Sequence, residues 1–318
     1  MKYFILLILF VFISCNKTNS KASIIQKTKI DSLINETDVE NFLIQADTLF
    51  KNFTVMKAGD YKSKVHGADL SFCKIKADSL GITKSFYKAD FDQNGYSDLL
   101  VTGTDYNFNV VAIMTYPNNK FVTKNFHGDF SINCSFPKVD TINGIPVINY
   151  YYEKQIYSDS TFSTKMVRAT LTYKLGGFIE YNGAVKSHSI NKIEYKTFPC
   201  YGTCPIFSLV IDRKGTGLLN AEEFNIIKNS DTLKGKYTST INQIQYKEIT
   251  QLLNYIDFAN LKGDYGVNAS DMPGCTLKIT YDNGKKKLIG DYGMMGSYGL
   301  QRVYALLADL RFNQQWKK

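Results

Sequence analysis

The sequence has few histidines and none of the short motifs that mark the common hydrolases. Three histidines occur in 318 residues, and none belongs to the zinc-binding motif H-E-x-x-H. No G-x-S-x-G segment is present, which excludes the nucleophile elbow of an α/β-hydrolase. Carboxylates are numerous, but context singles out no pair of them for acid–base work. The sequence therefore favours a non-enzymatic protein, and the alternative is an enzyme, such as a hydrolase, whose site forms only on folding.

Long hydrophobic runs are equally scarce. The apolar stretch Tyr3 to Ile13 is too short to span a bilayer comfortably, which takes about 20 residues, and no later stretch is apolar enough. The run ends in Phe12-Ile13-Ser14-Cys15, which resembles the lipobox of bacterial lipoproteins with Phe12 in place of the usual leucine. The resemblance implies that residues 1–14 are a signal peptide, cleaved before a lipidated and acylated Cys15. Several acyl chains anchor a protein stably. The alternative is an ordinary secretory signal with a chance cysteine.

The lipobox predicts a location and a set of partners. Residues 15–30 are polar and carry lysines, which is typical of a flexible tether. The body would then lie in the cell envelope, anchored to the membrane by its lipid and facing the periplasm or the cell surface. Its partner there would be an envelope protein or a glycan. The net charge of +9 comes from scattered lysines that we interpret as solvating, and an exported protein rarely meets nucleic acid.

The length of the mature chain, about 300 residues, predicts two domains. We place a β-rich domain at residues 31–185 and an α+β domain at residues 187–318. Abundant tyrosine and phenylalanine, 22 and 21 residues, favour strands. In the first domain Thr37 and Glu40 match a capping box that would open an amphipathic helix. The second domain has the order four strands, helix, two strands, helix, with Ser297 capping the last helix. The predicted fold class is α+β, with helices packed on an antiparallel sheet in each domain.

The cysteines indicate an oxidising compartment. Without Cys15, five of the six cysteines remain, so at least one is free or pairs between molecules. Cys200 and Cys204 lie in a sharp turn flanked by Pro199 and Pro205, which predicts a local disulfide. One pairing of the rest joins Cys73 and Cys134 between two strands and leaves Cys275 buried and free. A competing pairing ties Cys275 to Cys200 or Cys204.

Two functional alternatives exist for the cysteine turn. Thiol oxidoreductases place two residues between their cysteines and begin a helix there, which lowers the pKa of the thiol. Here three residues intervene and a strand-like run, Ile206 to Asp212, follows. The second alternative is a zinc ion held by Cys200, Cys204, Cys275 and His188. Both are disfavoured against a structural disulfide.

The first domain contains one segment with metal-ligand spacing, Asp90 to Asp98. Oxygen donors stand at its positions one, three, five and nine, with Gly95 at six, a pattern that wraps hard oxygens around calcium. The glutamate that an EF-hand carries at position twelve is absent. The segment resembles the calcium loops of FG-GAP and VCBS-type repeats. That resemblance implies calcium bound as a structural staple by Asp90, Asp92, Asn94, the Tyr96 carbonyl and Asp98. A plain hairpin with an Asn-Gly turn is the alternative.

The second domain resembles an uncharacterised family of exported bacterial domains of unknown function. The matching residues are Thr197 to Pro205, Asp271 to Pro273 and Asp291 to Gly293. The resemblance implies the fold unit and the exported setting, but no reaction. Asp271, Asp291, Tyr292 and the cysteine turn either converge on a ligand or, as we favour, define backbone geometry. The glycine-rich segment Gly293 to Gly299 at a helix start is a weak candidate for an anion site.

Overall fold

The computed structural model of the protein describes residues 26–60, 71–105, 108–126, 135–158, 161–226 and 232–318. These residues form three sheets, whose strands are mostly antiparallel, and four α-helices. The predicted α+β class is confirmed, and the sheets group into more than one domain. In the part of the chain described here, no helix is long and apolar enough to cross a bilayer. Residues 1–14, Cys15 and Cys134 lie outside these ranges.

The first sheet has five strands and is covered by a helix. Its strands are β1 (Thr54–Val55), β2 (Phe86–Ala89), β3 (Asp98–Thr104), β4 (Phe108–Tyr116) and β5 (Lys120–Phe126), in the order β1-β3-β4-β5 with β2 also paired to β3. The helices of this region are α1 (Glu36–Ala46) and α2 (Ser71–Ser79). Leu99 and Val101 of β3 pack in one core with Phe42 and Leu43 of α1, while Leu100 between them faces a different core. The central strand is therefore buried on both faces because its side chains alternate.

Helix α1 begins two residues before the position that the sequence predicted. Its N-cap is Asn35, whose side chain accepts the Asp38 N–H at 2.9 Å. The Asp38 carboxylate accepts the Asn35 N–H at 3.3 Å and the Ile34 N–H at 2.9 Å, so the capping box uses Asn35 and Asp38, and the prediction of Thr37 and Glu40 was wrong. The Glu40 carboxylate instead accepts the Val55 N–H at 2.8 Å. This hydrogen bond joins α1 to β1.

The second sheet contains four strands and packs against the first. It runs β6 (Ser135–Ile142), β7 (Ile145–Ser158), β8 (Thr161–Lys174) and β9 (Gly177–Glu180), each paired with the next. Ile148 and Leu171 of this sheet share a core with Leu100 and Met114 of the first. The first domain thus contains two sheets where the sequence predicted one, and β6 and α2 were missed.

The third sheet occupies the second half of the chain. Its strands are β10 (Ile190–Phe198), β11 (Ile206–Asp212), β12 (Thr216–Glu223), β13 (Gly235–Thr240), β14 (Asp264–Gly266), β15 (Gly274–Tyr281) and β16 (Lys285–Tyr292). Their spatial order is β13-β12-β11-β10-β15-β16-β14, and only β14 pairs in parallel. Two helices, α3 (Gln243–Tyr255) and α4 (Tyr298–Asn313), bury residues such as Leu252 and Leu307 against one face. This is the predicted order of elements, with β14 added.

The two halves are joined by more than the chain that connects them. Ile179 of β9 is fully buried in the core of the third sheet. The Arg302 Nε of α4 donates to the Leu175 carbonyl at 2.7 Å. Tyr298 at the start of α4 lies edge-on against Tyr150 of β7, with ring centres 6.3 Å apart. The hairpin that joins β8 to β9 therefore contacts both halves of the chain.

The structured body begins earlier than the tether boundary expected at residue 30. The Gln26 N–H donates to the Gly95 carbonyl at 2.7 Å, and Ile30 is fully buried against α1 and β3. Residues 26–30 therefore belong to the folded body, which corrects that boundary.

Candidate functional site

Three carboxylates converge in the loop that joins β2 to β3. One ligand oxygen from each of Asp90, Asp92 and Asp98 lies within 4.8 Å of the others. The loop conformation makes this convergence possible, since Gly95 and Gln93 both have left-handed backbone angles, with φ of 88° and 58°. Glycine adopts this region freely, whereas glutamine does so only at a cost. The structure thus brings together three of the five calcium ligands that the resemblance implied.

Backbone amides orient all three carboxylates, and Asp92 accepts the Asn94 N–H at 3.2 Å. Asp90 accepts the N–H groups of Asn94 and Gly95, each at 2.9 Å. Asp98 accepts the Phe91 N–H at 2.9 Å and the Thr115 N–H of β4 at 2.7 Å. Thr115, which the sequence had not singled out, thereby closes the loop from the neighbouring strand.

Burial makes it unfavourable for all three carboxylates to be ionised at once without a nearby cation. Asp98 is fully buried, and desolvation raises the pKa of its carboxyl group to about 7. Burial, together with the nearby Asp90, also raises the pKa of Asp92. A cation close to these oxygens would offset this penalty, because opposite charge favours the ionised form. The donor set of hard oxygens suits calcium.

The other two predicted ligands are engaged differently. The Asn94 side-chain oxygen accepts the Tyr96 N–H at 2.8 Å. Its amide nitrogen donates to Asp92 at 3.0 Å and to the Thr115 carbonyl at 2.7 Å. Asn94 therefore presents a donor to the carboxylates where the resemblance implied an acceptor. Tyr96 pairs in parallel with Gln26 through an isolated bridge.

The cysteine turn is a disulfide-braced connection between β10 and β11. Cys200 and Cys204 are bonded, with their Cα atoms 5.7 Å apart, which confirms the predicted disulfide. The hydroxyl of Thr197 donates to the Pro205 carbonyl at 2.7 Å and accepts the Phe207 N–H at 3.0 Å. The Thr197 side chain and the disulfide together define the turn, and β11 follows it directly.

The zinc and alternative-disulfide interpretations do not fit these contacts. Both sulfurs of the turn are used in the disulfide, and the His188 Nδ1 lies 2.9 Å from the Asp282 carboxylate. Cys275 is free and only 2% exposed; burial, and then the neighbouring Asp291, raises the pKa of its thiol to about 12. Cys73 is disulfide-bonded, but it lies on α2 and not on a strand. Its expected partner, Cys134, is outside the described residues.

Asp271, Tyr292 and the cysteine turn do meet at one end of the third sheet. The Tyr201 N–H donates to the Asp271 carbonyl at 3.1 Å, and the Met272 N–H donates to the Tyr292 hydroxyl at 3.1 Å. The carboxylate of Asp291 is 3% exposed and accepts from the Gly296 N–H at 2.9 Å and the Tyr304 hydroxyl at 3.1 Å. Burial raises the pKa of this carboxyl group. These contacts fit the structural interpretation that the sequence favoured, while Pro199, Asp291 and Tyr292 also line a cavity of about 300 Å³.

Comparison with known proteins identifies this half of the chain at the level of a domain family. Residues 191–311 match the family described as a domain of unknown function, DUF6438. We refer to this stretch as the DUF6438 domain. No curated protein and no solved structure matches the chain.

The sequence made the glycine-rich segment of the DUF6438 domain a weak candidate for an anion site, but in the structure a carboxylate of the protein itself lies at this position. The Glu180 carboxylate of β9 accepts the N–H groups of Tyr298 and Gly299 at 2.8 and 2.9 Å. Ser297 caps the same helix through the Leu300 N–H at 3.1 Å, as predicted. A carboxylate from the other half of the chain therefore takes the position of the anion. Sequence reasoning missed Glu180 because the contact joins residues more than 100 positions apart.

Proposed function

We propose that this chain is a membrane-anchored envelope lipoprotein whose folded body is a non-enzymatic binding module. The observation that carries the proposal is the disulfide between Cys200 and Cys204, together with the disulfide-bonded Cys73. Disulfides form and persist in oxidising compartments and are rare in the cytosol. The lipobox-like Phe12 to Cys15 supplies the route to that compartment and the anchor.

The titratable groups of the DUF6438 domain support a non-enzymatic role. Strongly shifted pKa values mark catalytic groups when those groups sit in a cleft. Cys275, Asp291 and Tyr304 have raised pKa values, but each is at most 3% exposed. Cys275 and Asp291 border a cavity of about 300 Å³, but the Tyr304 hydroxyl donates to the Asp291 carboxylate, and this hydrogen bond serves to join α4 to β16.

We also infer that the loop from Asp90 to Asp98 holds calcium as a structural staple. Asp90, Asp92 and Asp98 would hold the ion, and its charge would neutralise carboxylates that burial otherwise makes costly. The cluster connects β2, β3 and β4, so the ion would stabilise the first sheet. The resemblance adds Asn94 and the Tyr96 carbonyl to this set, but Asn94 would have to turn its amide to offer its oxygen to the ion. Calcium titration of Asn94→Ala tests whether that side chain contributes.

Lipid labelling tests the anchor. Cells expressing the full chain are fed a radiolabelled palmitate and fractionated, with Cys15→Ser compared against Ser20→Ala as the control. We expect label and membrane association in the parent chain and in Ser20→Ala, and loss of both in Cys15→Ser. Label retained by Cys15→Ser, or a parent chain found unlabelled in the soluble fraction, would contradict the proposal.

A further inference from the structure

A cleft of about 570 Å³ lies where the two halves of the chain meet. Its walls are the end of β8, the segment 181–187 and helix α3, and it extends to Phe91 and Gln93 of the aspartate loop. This volume falls in the range of small-molecule sites, which occur preferentially at domain boundaries. We propose that this cleft binds a neutral saccharide. The inference rests on the proposed function, because it names a glycan as the envelope partner.

Aromatic rings provide the apolar part of the cleft. Tyr173, Tyr181 and Tyr255 all line it. Gly183 packs beside the Tyr181 ring, with room for a Cβ no closer than 3.4 Å, and the exposed Val185 extends the apolar surface at the rim. Aromatic rings present a large, rigid apolar face with a polar edge. The C–H faces of a pyranose ring match such a surface.

Hydrogen bonds of Asn182 and Asn254 hold the walls of the cleft in place. The Asn182 N–H donates to the Tyr255 hydroxyl at 3.0 Å, and its side chain donates to the Tyr255 carbonyl at 2.6 Å. The Asn254 side chain accepts the His188 N–H at 3.0 Å and donates to the His188 carbonyl at 3.2 Å. These four contacts attach Asn182 and His188, at the two ends of segment 181–187, to α3. The cleft is therefore formed before a ligand enters it, which lowers the entropic cost of binding.

Two exposed glutamines supply polar groups for recognition. Gln251 projects from α3 and Gln93 from the aspartate loop, and both line the cleft. An amide both donates and accepts hydrogen bonds. It therefore matches sugar hydroxyl groups, which do the same.

The charge of the lining favours a neutral ligand. Among the described residues that line the cleft, Lys174 alone is charged, and none carries a carboxylate. The Lys174 ammonium lies 5.1 Å from the centre of the Tyr255 ring, so part of its charge is already used in a cation–π contact. A polyanion would find too few cations here, and a cationic ligand would find no carboxylate.

The test uses the full-length lipidated protein in a detergent without a sugar headgroup. Saturation-transfer NMR and calorimetric titration are run with triacetylchitotriose, cellotriose and, as the anionic probe, trigalacturonate. The variants are Tyr181→Ala and the exposed Gln251→Ala. Tyr201→Ala is the matched control, because Tyr201 is 89% exposed on the cysteine turn. We expect saturable binding of at least one neutral trisaccharide, weakened at least tenfold by each cleft variant and unchanged in Tyr201→Ala.

Three results would overturn the inference: no saturable binding of either neutral trisaccharide, tighter binding of trigalacturonate than of both, or affinity unchanged in both cleft variants. Lipid labelling of Cys15 is scored separately, so an anchored protein that binds no sugar refutes the cleft and leaves the anchor intact. Cleavage of a bound trisaccharide, visible in the same spectra, would support the cleft and refute the non-enzymatic role.

Discussion

The contact between Glu180 and the start of α4 gives the sharpest prediction about how the two halves depend on each other. We expect Glu180→Gln to destabilise the DUF6438 domain although Glu180 lies outside it. The glutamine side chain keeps one acceptor oxygen but replaces the other with an NH2 group. That group would face an N–H of Tyr298 or Gly299 and leave it without an acceptor.

The magnitude follows from the contacts that are lost. A hydrogen bond to a charged group contributes about 1.5–3 kcal/mol. A negative charge at a helix N-terminus contributes about 0.3–1 kcal/mol, and up to about 2 kcal/mol when partly buried. Because one of the two hydrogen bonds survives in Glu180→Gln, we expect the free energy of unfolding to fall by about 2–3 kcal/mol. Glu180→Ala removes both bonds, and we expect a loss of about 3–4 kcal/mol.

The chain contains its own reporter for this measurement. Trp316 is the single tryptophan, and its Nε1 donates to the Leu310 carbonyl of α4 at 2.9 Å. Its fluorescence therefore follows the release of α4 during urea unfolding. With a slope of about 2 kcal/mol per M, the midpoint in Glu180→Gln should fall by about 1 M. Glu223→Gln, at the exposed end of β12, serves as the control.

Hydrogen exchange distinguishes a local effect from a global one. In Glu180→Gln the amides of Tyr298 and Gly299 should lose protection more than those in the middle of α4, since helix ends open first. A midpoint equal to that of Glu223→Gln, with unchanged exchange at these two amides, would refute the role assigned to Glu180.

Three further predictions concern the carboxylate cluster and the cysteines. In calcium-free buffer the folded protein keeps a proton on Asp98 up to its pKa of about 7, whereas the unfolded chain releases it near 3.8. The free energy of unfolding should therefore fall by up to about 4 kcal/mol as the pH rises from about 4 to 7, and it should stay level above that pH. Calcium should remove most of this fall in melting curves, and identical curves with calcium and with chelator would contradict the metal assignment. Replacing Cys200 and Cys204 together by serine should lower stability by about 2 kcal/mol without unfolding the domain, because the closed loop is small; urea midpoints check this, and an unchanged midpoint would contradict it. Native Cys275 should resist a thiol reagent that labels it readily in urea, and rapid native labelling would show that the thiol is accessible.

Local patterns predicted much of the secondary structure. The bounds of β11 match the strand-like run predicted from the sequence at both ends, because turn residues and an alternating apolar pattern enclose it. Ser297 was identified as a helix cap for the same kind of reason. Strands β6 and β14 escaped detection because their own residues do not specify them. Strand β6 carries Pro137 and lies at the edge of its sheet, and β14 has three residues that pair only with β16.

What the sequence determined by itself is therefore local. The disulfide at Cys200 and Cys204 and the convergence of Asp90, Asp92 and Asp98 are each encoded within nine residues, where turn geometry leaves the chain few choices. Only the tertiary structure decided that Glu180 caps α4 and that a cleft opens between the halves. These features depend on packing between segments far apart in the chain, and no short pattern of residues specifies which distant partner a side chain will meet.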